Sequence, residues 1–420
     1  MTTASLLCDQ LEVWLEIADP TLWPDNPGAW DVSHWDQPDG EWAMEGDVGY
    51  ALVTKYVRGF TLERGRQGGS WDSTASGSVK MELDNTTGVF SVYGTTAYPR
   101  IRPGFGLKID GVWEGVRYPL FRGMASEWRE KPTPDDDNVT LEADDFSRVL
   151  NDPIAMDYIP GVDAQLSSDR IVGLLNRVPE SQPRSIQPGV ATMTNYATTR
   201  SILDEVHITA ISDGGVFFVD NDGTLIFLNR QRLIGRPREG APPIFGDACD
   251  SSELPYAAIE PRIADAEFGN VVTVSNVSQG NDSQQSAKSV DQASIDANGR
   301  FLWSPNQLPI LNAAHVQGMS DWELARRSKY YYRIDSFECY PVHDDNLWPA
   351  LLGMRIGDSL FVRRRPPNST MISAAMICDG IRIEATPELW KQTTRCTPAV
   401  GDIASAEFWD YANWDVSEWV

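Results

Sequence analysis

The spacing of apolar residues changes twice along the chain, and this limits the fold more than any other feature of the sequence. Between about residues 47 and 153, apolar and polar residues alternate, as at Val79, Met81 and Leu83, which is the period of a half-buried strand. Between about 154 and 255 the spacing becomes helical, and between about 256 and 400 strand-like segments return. The sequence therefore predicts a mainly β protein in which two β regions flank a smaller α+β insertion.

Turn signals divide the first β region into short strands. The segments 84–88, 102–104 and 110–111 are rich in Asn, Asp, Pro and Gly, which are typical of tight turns. Several short strands at regular spacing favour a small barrel or a sandwich. The predicted strands are 52–58, 78–83, 107–109, 118–123 and 139–143.

The insertion is predicted to contain two amphipathic helices and a hairpin. The first helix begins at a Ser167 or Ser168 cap and stops at Pro179, and the second ends at the glycine pair 214–215. The segment 216–228 reads as two apolar strands joined by an Asp and Gly turn. The apolar positions at helical spacing are Ile171, Leu174, Leu175 and Val178 in the first helix, and Ile202, Leu203, Val206 and Ala210 in the second.

The second β region is predicted to contain strands at 271–274, 359–362 and 377–383. One helix interrupts them, and its start is predicted at the capping box 320–323. The segment 275–291 is rich in Ser, Gln, Asn and Asp and is predicted to be a mobile loop.

The two ends of the chain are rich in Trp. Residues 1–46 are predicted to form an irregular arm, because their spaced prolines interrupt helices and central strands alike. Residues 401–420 form a similar tail, in which 414–419 nearly repeats 30–35. Such indoles are expected to pack against a neighbouring domain or chain. The candidate subunit-interface residues are Trp14, Trp23, Trp30, Trp35, Trp42, Trp409, Trp414 and Trp419.

The charge balance excludes several classes of protein. With 35 Lys and Arg against 60 Asp and Glu, the net charge is -25, which argues against a general nucleic-acid binder because such proteins need a basic face. No apolar run approaches the roughly 20 residues of a membrane span, and no signal peptide is expected. The five scattered cysteines lack a Cys-x-x-Cys pair and are expected to be buried thiols made in a reducing cytoplasm.

The sequence contains no recognisable catalytic or metal-binding motif. Its four histidines show no metal-ligand spacing, and the nucleophile elbow, the phosphate-binding loop and the dinucleotide fingerprint are missing. The segment 220–223 resembles the opening of a calcium loop, but Asn229 stands where the bidentate glutamate is needed, so a hairpin turn is the simpler reading. No catalytic residue, metal ligand or cofactor is therefore predicted.

A series of weak segment matches points to one family. The segments at 56–90, 101–104, 118–123 with Trp128, and 141–145 follow one another in the first half of the chain, and 215–223, 270–274, 380–390 and 397–399 follow in the second. In this order they resemble the minor tail proteins, or tail-tip (baseplate) hub proteins, of long-tailed bacteriophages. The resemblance spans about residues 50–400, and the Trp-rich ends at 1–46 and 401–420 lie outside it.

The resemblance implies a structural virion protein at the tail tip, made in the host cytoplasm, with no enzymatic activity. Two barrel-like β domains of tail-hub type, at 47–153 and 256–400, would flank a smaller α+β domain at 154–255. Three copies would place six similar domains around the axis and continue a sixfold tail tube. The implied partners are two further copies, other tail-tip proteins, the distal tube ring and the tape-measure protein, with phage DNA only in passage and no membrane anchor.

Three questions stay open at this level. Part of the acidic excess is hypothesised to line a DNA channel and repel the duplex, but it could equally serve solubility. The terminal Trp residues could anchor subunits, or they could stack on sugar rings of a host envelope polymer, which would make the chain a cell-wall-binding adhesin. A peptidoglycan hydrolase is a further alternative, although the sequence offers no nucleophile or metal set for it.

Overall fold

The computed structural model describes the central part of the chain with several internal gaps. The described residues are 11–17, 49–65, 75–92, 101, 104–133, 137–151, 165–178, 182–194, 200–230, 241–248, 252–262, 268–277, 285–305, 307–329 and 333–399. Within them, no helix is both long enough and apolar enough to cross a bilayer.

The first β region is an antiparallel sheet that confirms the predicted alternation. Val79, Met81 and Leu83 are buried, whereas Lys80 and Glu82 between them are exposed. Its strands are β1 (Leu11–Ile17), β2 (Gly49–Leu52), β3 (Val57–Gly65), β4 (Ala75–Asp84), β5 (Gly106–Trp113), β6 (Val116–Pro132) and β7 (Asp137–Asp145). In space they follow the order β3-β4-β7-β6-β5-β1-β2.

Two predictions for this region are wrong in part. Leu11–Ile17 is not irregular: it forms β1 between β2 and β5, with Leu11, Val13 and Leu15 buried, an alternation hidden by the proline-rich sequence that follows. The predicted strand 52–58 is broken by a 3-10 turn at Thr54–Tyr56, because Val53 and Thr54 are both buried and the Thr54 hydroxyl accepts a hydrogen bond from the Val13 amide (2.9 Å).

The insertion has the helices and the hairpin that the sequence predicts, but the predicted serine cap of the first helix is wrong: Leu166 precedes the helix, and the Ser167 hydroxyl donates to Asp213 instead (2.7 Å). The second helix is capped by the Ser201 hydroxyl, which accepts from the Asp204 amide at 3.1 Å, and it ends at Gly214 with φ of 74°. The hairpin is antiparallel, with Val219 opposite Leu225. The elements are α1 (Ser147–Leu150), β8 (Gln165–Leu166), α2 (Ser167–Leu175), β9 (Arg184–Ile186), β10 (Thr192–Met193), α3 (Ile202–Asp213), β11 (Val216–Val219), β12 (Leu225–Leu228), β13 (Ile244–Gly246) and β14 (Leu254–Pro255).

The second β region contains the predicted strands and several short helices. The elements are β15 (Ala258–Arg262), β16 (Val271–Ser275), β17 (Ser286–Val290), α4 (Gln292–Asn298), β18 (Leu302–Trp303), α5 (Ala313–Arg327), β19 (Arg333–Cys339), α6 (Leu347–Leu352), β20 (Ser359–Arg364), β21 (Ile372–Thr386) and β22 (Leu389–Pro398). β16, β17 and β18 form a small three-stranded sheet that packs on α5, while β19 to β22 join the large sheet.

Two further predictions need correction here. The segment 275–291 is not all loop, because Ser286–Val290 forms β17 and pairs with β16. The predicted capping box at 320–323 is not a helix start: α5 begins at Ala313 with Asn312 as its cap. Ser320 lies inside the helix, where its hydroxyl donates to the Val272 carbonyl at 3.2 Å.

Both β regions belong to one continuous sheet of 14 strands. The connection is the antiparallel pairing of β3 with β21, which runs from Phe60 opposite Ala385 to Gly65 opposite Gly380. The fold class, mainly β with an α+β insertion, is confirmed. The two β regions are nevertheless joined edge to edge, and the strands of the described ranges close no barrel.

Candidate functional site: the joint between the two β regions

Aromatic and ionic side chains from distant parts of the chain meet where the two β regions and the insertion come together. We call this place the joint. Its residues come from β3, β5, the 220–223 turn, α6, the segment after α6, β21 and β22. They are Arg64, Gly65, Trp113, Asp220, Trp348, Arg355, Asp379 and Trp390.

An aromatic stack forms the apolar half of the joint. Trp348 on α6 lies parallel to Trp113 of the first β region, with ring centroids 5.6 Å apart, and meets Trp390 of the second edge-on at 5.3 Å. Trp348 is 1% exposed. Gly111 on β5 makes this approach possible, because a Cβ there would lie 2.6 Å from Leu352 of α6. One indole thus holds both β regions against the same helix.

The backbone crossing from β3 to β21 requires a glycine. Gly65 has a φ of +78°, which residues with a Cβ rarely adopt. A Cβ at this position would also collide with the Asp379 carbonyl oxygen and approach Ile356 to 2.9 Å. The close contact between the two β regions at this point therefore depends on the missing side chain.

An ion pair fastens the insertion to the second β region. The Asp220 carboxylate, 1% exposed, accepts from Arg355 Nη1 at 3.1 Å. The next residue of the turn, Asn221, donates from Nδ2 to the Met354 carbonyl at 3.3 Å. The predicted hairpin turn at 220–223 is therefore also a docking element, which its composition alone did not reveal.

Arg64 is the least accessible cation of the joint, at 4% exposure. Burial lowers the pKa of its guanidinium to about 10, and the nearby carboxylates of Asp220 and Asp358 oppose that shift. The described residues provide no hydrogen-bond acceptor for its Nε and Nη1 atoms. Since the charged form is retained far above neutral pH, Arg64 stays cationic and offsets the buried carboxylate of Asp220.

A second buried ion cluster ties β20 to the segment before β14. The Glu253 carboxylate, with a fully buried side chain, accepts from Arg365 through two bonds of 2.8 Å and from Arg363 at 3.2 Å. Asp247 accepts from the Arg365 side chain at 2.9 Å and from its amide at 2.8 Å. The Arg365 bonds hold the pKa of Glu253 down at about 2.

This cluster predicts a specific dependence of stability on pH. The pKa of Glu253 in the folded protein, about 2, lies below the ordinary value of 4.5. The ionised carboxylate therefore stabilises the folded state fully above pH 4.5, and this stabilisation is lost as the pH falls through about 2. Glu253→Gln should be less stable than wild type at pH 7, and the difference should shrink on acidification. Denaturant midpoints measured from pH 7 to pH 2 check this. Exposed Glu388→Gln is the control; an equal pH dependence in both variants would contradict the assignment.

The exposed face of the large sheet carries charges of both signs in ion pairs. Lys80 on β4 lies 3.1 Å from Glu142 on β7, and within β21 Arg382 lies 2.6 Å from Glu384 two residues along the strand. Pairs of this kind contribute little stability in water, but they leave the face close to neutral. Two of the pairs cross between neighbouring strands of the second β region and its junction with the first: Arg382 with Glu63, and Lys391 with Glu338.

Of the eight predicted interface tryptophans, only Trp14 lies within the described residues. It is half-buried in β1, where its Nε1 donates to Glu12 at 3.4 Å, so it belongs to the sheet and not to a separate arm. The other seven lie outside the described residues. Among the cysteines, Cys339, Cys378 and Cys396 are buried free thiols, as predicted, and burial raises the pKa of each.

The fold can be compared with known structures. The tail protein from Neisseria meningitidis superimposes with a TM-score of 0.55 over 83% of this chain and 92% of its own, at 12% identity. The 43 kDa tail protein of prophage MuSo2 from Shewanella oneidensis gives 0.57 over 93% and 100%, also at 12% identity. This chain has the fold of phage tail proteins. No protein-family model and no curated protein sequence matches it.

The joint could not be predicted from the sequence. The family resemblance rests on short segments that are mostly single strands, whereas the joint is formed by contacts between residues that are far apart in the chain. Asp220 and Arg355 are 135 positions apart, and Trp113 and Trp348 are further apart still. Within the joint, the sequence pattern at 220–223 predicted a hairpin turn, but it did not predict that the turn would bind Arg355.

Proposed function

We propose that the chain is a structural hub of a phage tail tip, which continues the tail tube, connects it to distal adhesion proteins and forms a passage for DNA. The observation that carries this proposal is the likeness to two tail proteins over most of both chains. The joint supports it physically. Two β regions that share one sheet and one aromatic stack form a stiff unit, which suits a structural component of a tail.

The proposed assembly is a homotrimer. Each copy brings two β regions, so three copies would bring six around one axis and match a sixfold tube. The Trp-rich segments would anchor neighbouring subunits or tip proteins, since Trp is prominent in interface energetics. The tube ring and the tape-measure protein would be the partners above the hub.

The charge distribution supports a passage that does not bind DNA. Residues 1–54 contain eleven Asp and Glu and no Lys or Arg, and residues 401–420 contain five and none. Most of the acidic excess therefore lies near the chain ends, while the described sheet face is nearly balanced. We propose that part of this excess lines the passage and repels the duplex. A channel wall with net positive charge would contradict this.

The oligomeric state tests the hub directly. Light scattering of the purified full-length protein over a range of concentrations should give three chain masses at the upper end. A monomer mass at every concentration, also in the presence of the neighbouring tail proteins, would contradict the trimeric hub and favour the adhesin reading.

A further inference from the structure

Two of the buried thiols lie directly opposite one another in the large sheet. Cys378 on β21 is the register partner of Cys396 on β22. Directly opposed residues of an antiparallel pair place their side chains on the same face of the sheet. Both side chains belong to the same apolar core, with exposures of 0% for Cys378 and 7% for Cys396. The sheet therefore sets two thiols side by side on successive strands.

The backbone hydrogen bonds show that these two residues form a non-hydrogen-bonded pair, the type in which antiparallel strands approach most closely. The Cys378 amide donates to the Asp358 carbonyl at 2.9 Å, and the Cys378 carbonyl accepts from the Gly357 amide at 2.7 Å, so both groups point away from β22. Two rows along, Pro398 lies opposite Met376 and has no amide to donate, as the same alternation requires. At such positions the Cα atoms lie about 4.5 Å apart, within the range that a disulfide spans.

Cys339 is a third buried thiol of the same core, but its register partner is not a cysteine. On β19 it lies opposite Gln392 of β22, four residues along the strand from Cys396. Its Sγ lies 3.6 Å from the Pro255 carbonyl. Four residues of a strand span about 13 Å, which is too far for a disulfide between Cys339 and Cys396. Cys339 therefore serves as an internal control for any reaction of the opposed pair.

Burial accounts for the reduced state of the opposed pair. It raises the pKa of both thiols well above the ordinary value, and the carboxylates of Asp358 and Asp379 add to this shift at Cys378, while the Arg64 cation opposes it. Because the thiolate is the attacking species, the pair reacts slowly while the strands stay closed. Oxidation therefore requires a transient opening at the end of β22.

We propose that Cys378 and Cys396 are an oxidative modification site, at which a small disulfide such as oxidised glutathione converts the two thiols into a cross-strand disulfide. The thiolate of Cys396, the more accessible of the two, attacks the oxidant, forms a mixed disulfide and releases one glutathione. The thiolate of Cys378 then attacks the mixed disulfide, closes the Sγ–Sγ bond and releases the second glutathione. The two protons of the cysteines end on the two released thiols, and the two electrons that the cysteines lose reduce the glutathione disulfide.

The bond would fasten the end of β22 beside the joint. Asp379 is the extra residue of the bulge between Cys378 and Gly380, and Gly380 lies opposite Gly65 where β3 meets β21. A crosslink here closes the hairpin between the two cysteines and restricts the unfolded chain. Thiols persist in a reducing cytoplasm, whereas disulfides persist in oxidising surroundings. The site therefore stiffens the joint only under oxidising conditions.

Peptide mapping by mass spectrometry tests the pairing independently of the hub assignment. The full-length protein carries Cys8→Ser and Cys249→Ser, two positions outside the described residues, and is incubated with oxidised glutathione both in the folded state and during refolding from denaturant. After alkylation, the peptides of Cys378 and Cys396 should be linked, while Cys339 should be alkylated. Absence of this link under both conditions, or equal linkage of Cys339 to either cysteine, would overturn the proposal.

Denaturant unfolding tests the effect of the bond on stability. The unfolding equilibrium constant should be at least about tenfold smaller for the oxidised protein than for the reduced protein, and a reductant should reverse the gain. Cys396→Ser should show no difference between oxidant and reductant, whereas the matched control Cys339→Ser should keep the full difference. Equal responses of these two variants would contradict the assignment. The peptide map uses no substitution at the pair, so it decides the question even if Cys396→Ser does not fold.

Discussion

Replacing Trp348 with alanine is expected to lower the free energy of unfolding by about 3–5 kcal/mol, the range for removing a large buried aromatic side chain. The indole is 1% exposed and contacts Trp113 and Trp390, which belong to different β regions. Its loss therefore leaves a cavity at the place where the two regions are held together. Chemical denaturation of the purified variant, followed by Trp fluorescence and circular dichroism, measures the effect.

Two further variants make this result specific. Trp348→Phe keeps a ring between the two tryptophans and should lose clearly less stability than the alanine variant. Val116→Ala, at a side chain that is 53% exposed on the β5–β6 hairpin, should change stability by no more than about 0.5 kcal/mol. A Trp348→Ala loss no greater than that of Val116→Ala would show that the stack does not hold the two regions together.

Replacing Arg355 with methionine is expected to destabilise the protein by up to about 3 kcal/mol, the lower end of the range for breaking a buried ion pair, because Arg64 still offsets part of the charge of the Asp220 carboxylate. The reverse change, Asp220→Asn, releases Arg355, which is 36% exposed and can turn to water, but it also removes a counter-charge from the buried Arg64 guanidinium. It should therefore be destabilising as well. Denaturant unfolding of both variants measures the two costs.

The double variant separates the ion pair from other effects of each substitution. If the two side chains act as a pair, adding Asp220→Asn to Arg355→Met should recover part of the lost stability. Asp222→Asn, two positions along the same turn, is the matched control with a smaller expected effect, since its carboxylate accepts a local bond from the Thr224 amide and is less buried than that of Asp220. Equal costs for Arg355→Met and Asp222→Asn would contradict the docking role of the turn.

Local patterns in the sequence predicted the parts of the fold that depend on neighbouring residues. The alternation at Val79, Met81 and Leu83, the helix that ends at Gly214 and the hairpin at 216–228 all have short-range causes: burial of one face, a left-handed cap and a tight turn. Each can be read within about a dozen residues. These elements were placed correctly for that reason.

The errors arose where distant contacts overrule a local pattern. Ser320 and Glu323 have capping-box spacing, yet α5 already begins at Ala313, and Glu323 instead pairs with Arg327 at 2.8 Å within the same helix. The sequence did not predict β1 because the strand has only seven residues and a proline-rich segment follows it directly. Its partner β5 lies almost 100 residues further along the chain.

The joint itself was beyond the reach of sequence patterns. Its aromatic and ionic contacts bring together residues that are far apart in the chain. The spacing of residues in the sequence does not show that Trp348 will contact Trp113 and Trp390. The same limit applies to the continuous sheet: the pairing of β3 with β21 joins segments more than 300 residues apart.

Imaging of the assembled protein by electron cryo-microscopy tests the central claim most directly. The hub account predicts particles of three chains in which six β regions surround a channel wide enough for a DNA duplex. Particles without a central opening, or with the two β regions of each chain at unequal distances from the axis, would contradict it.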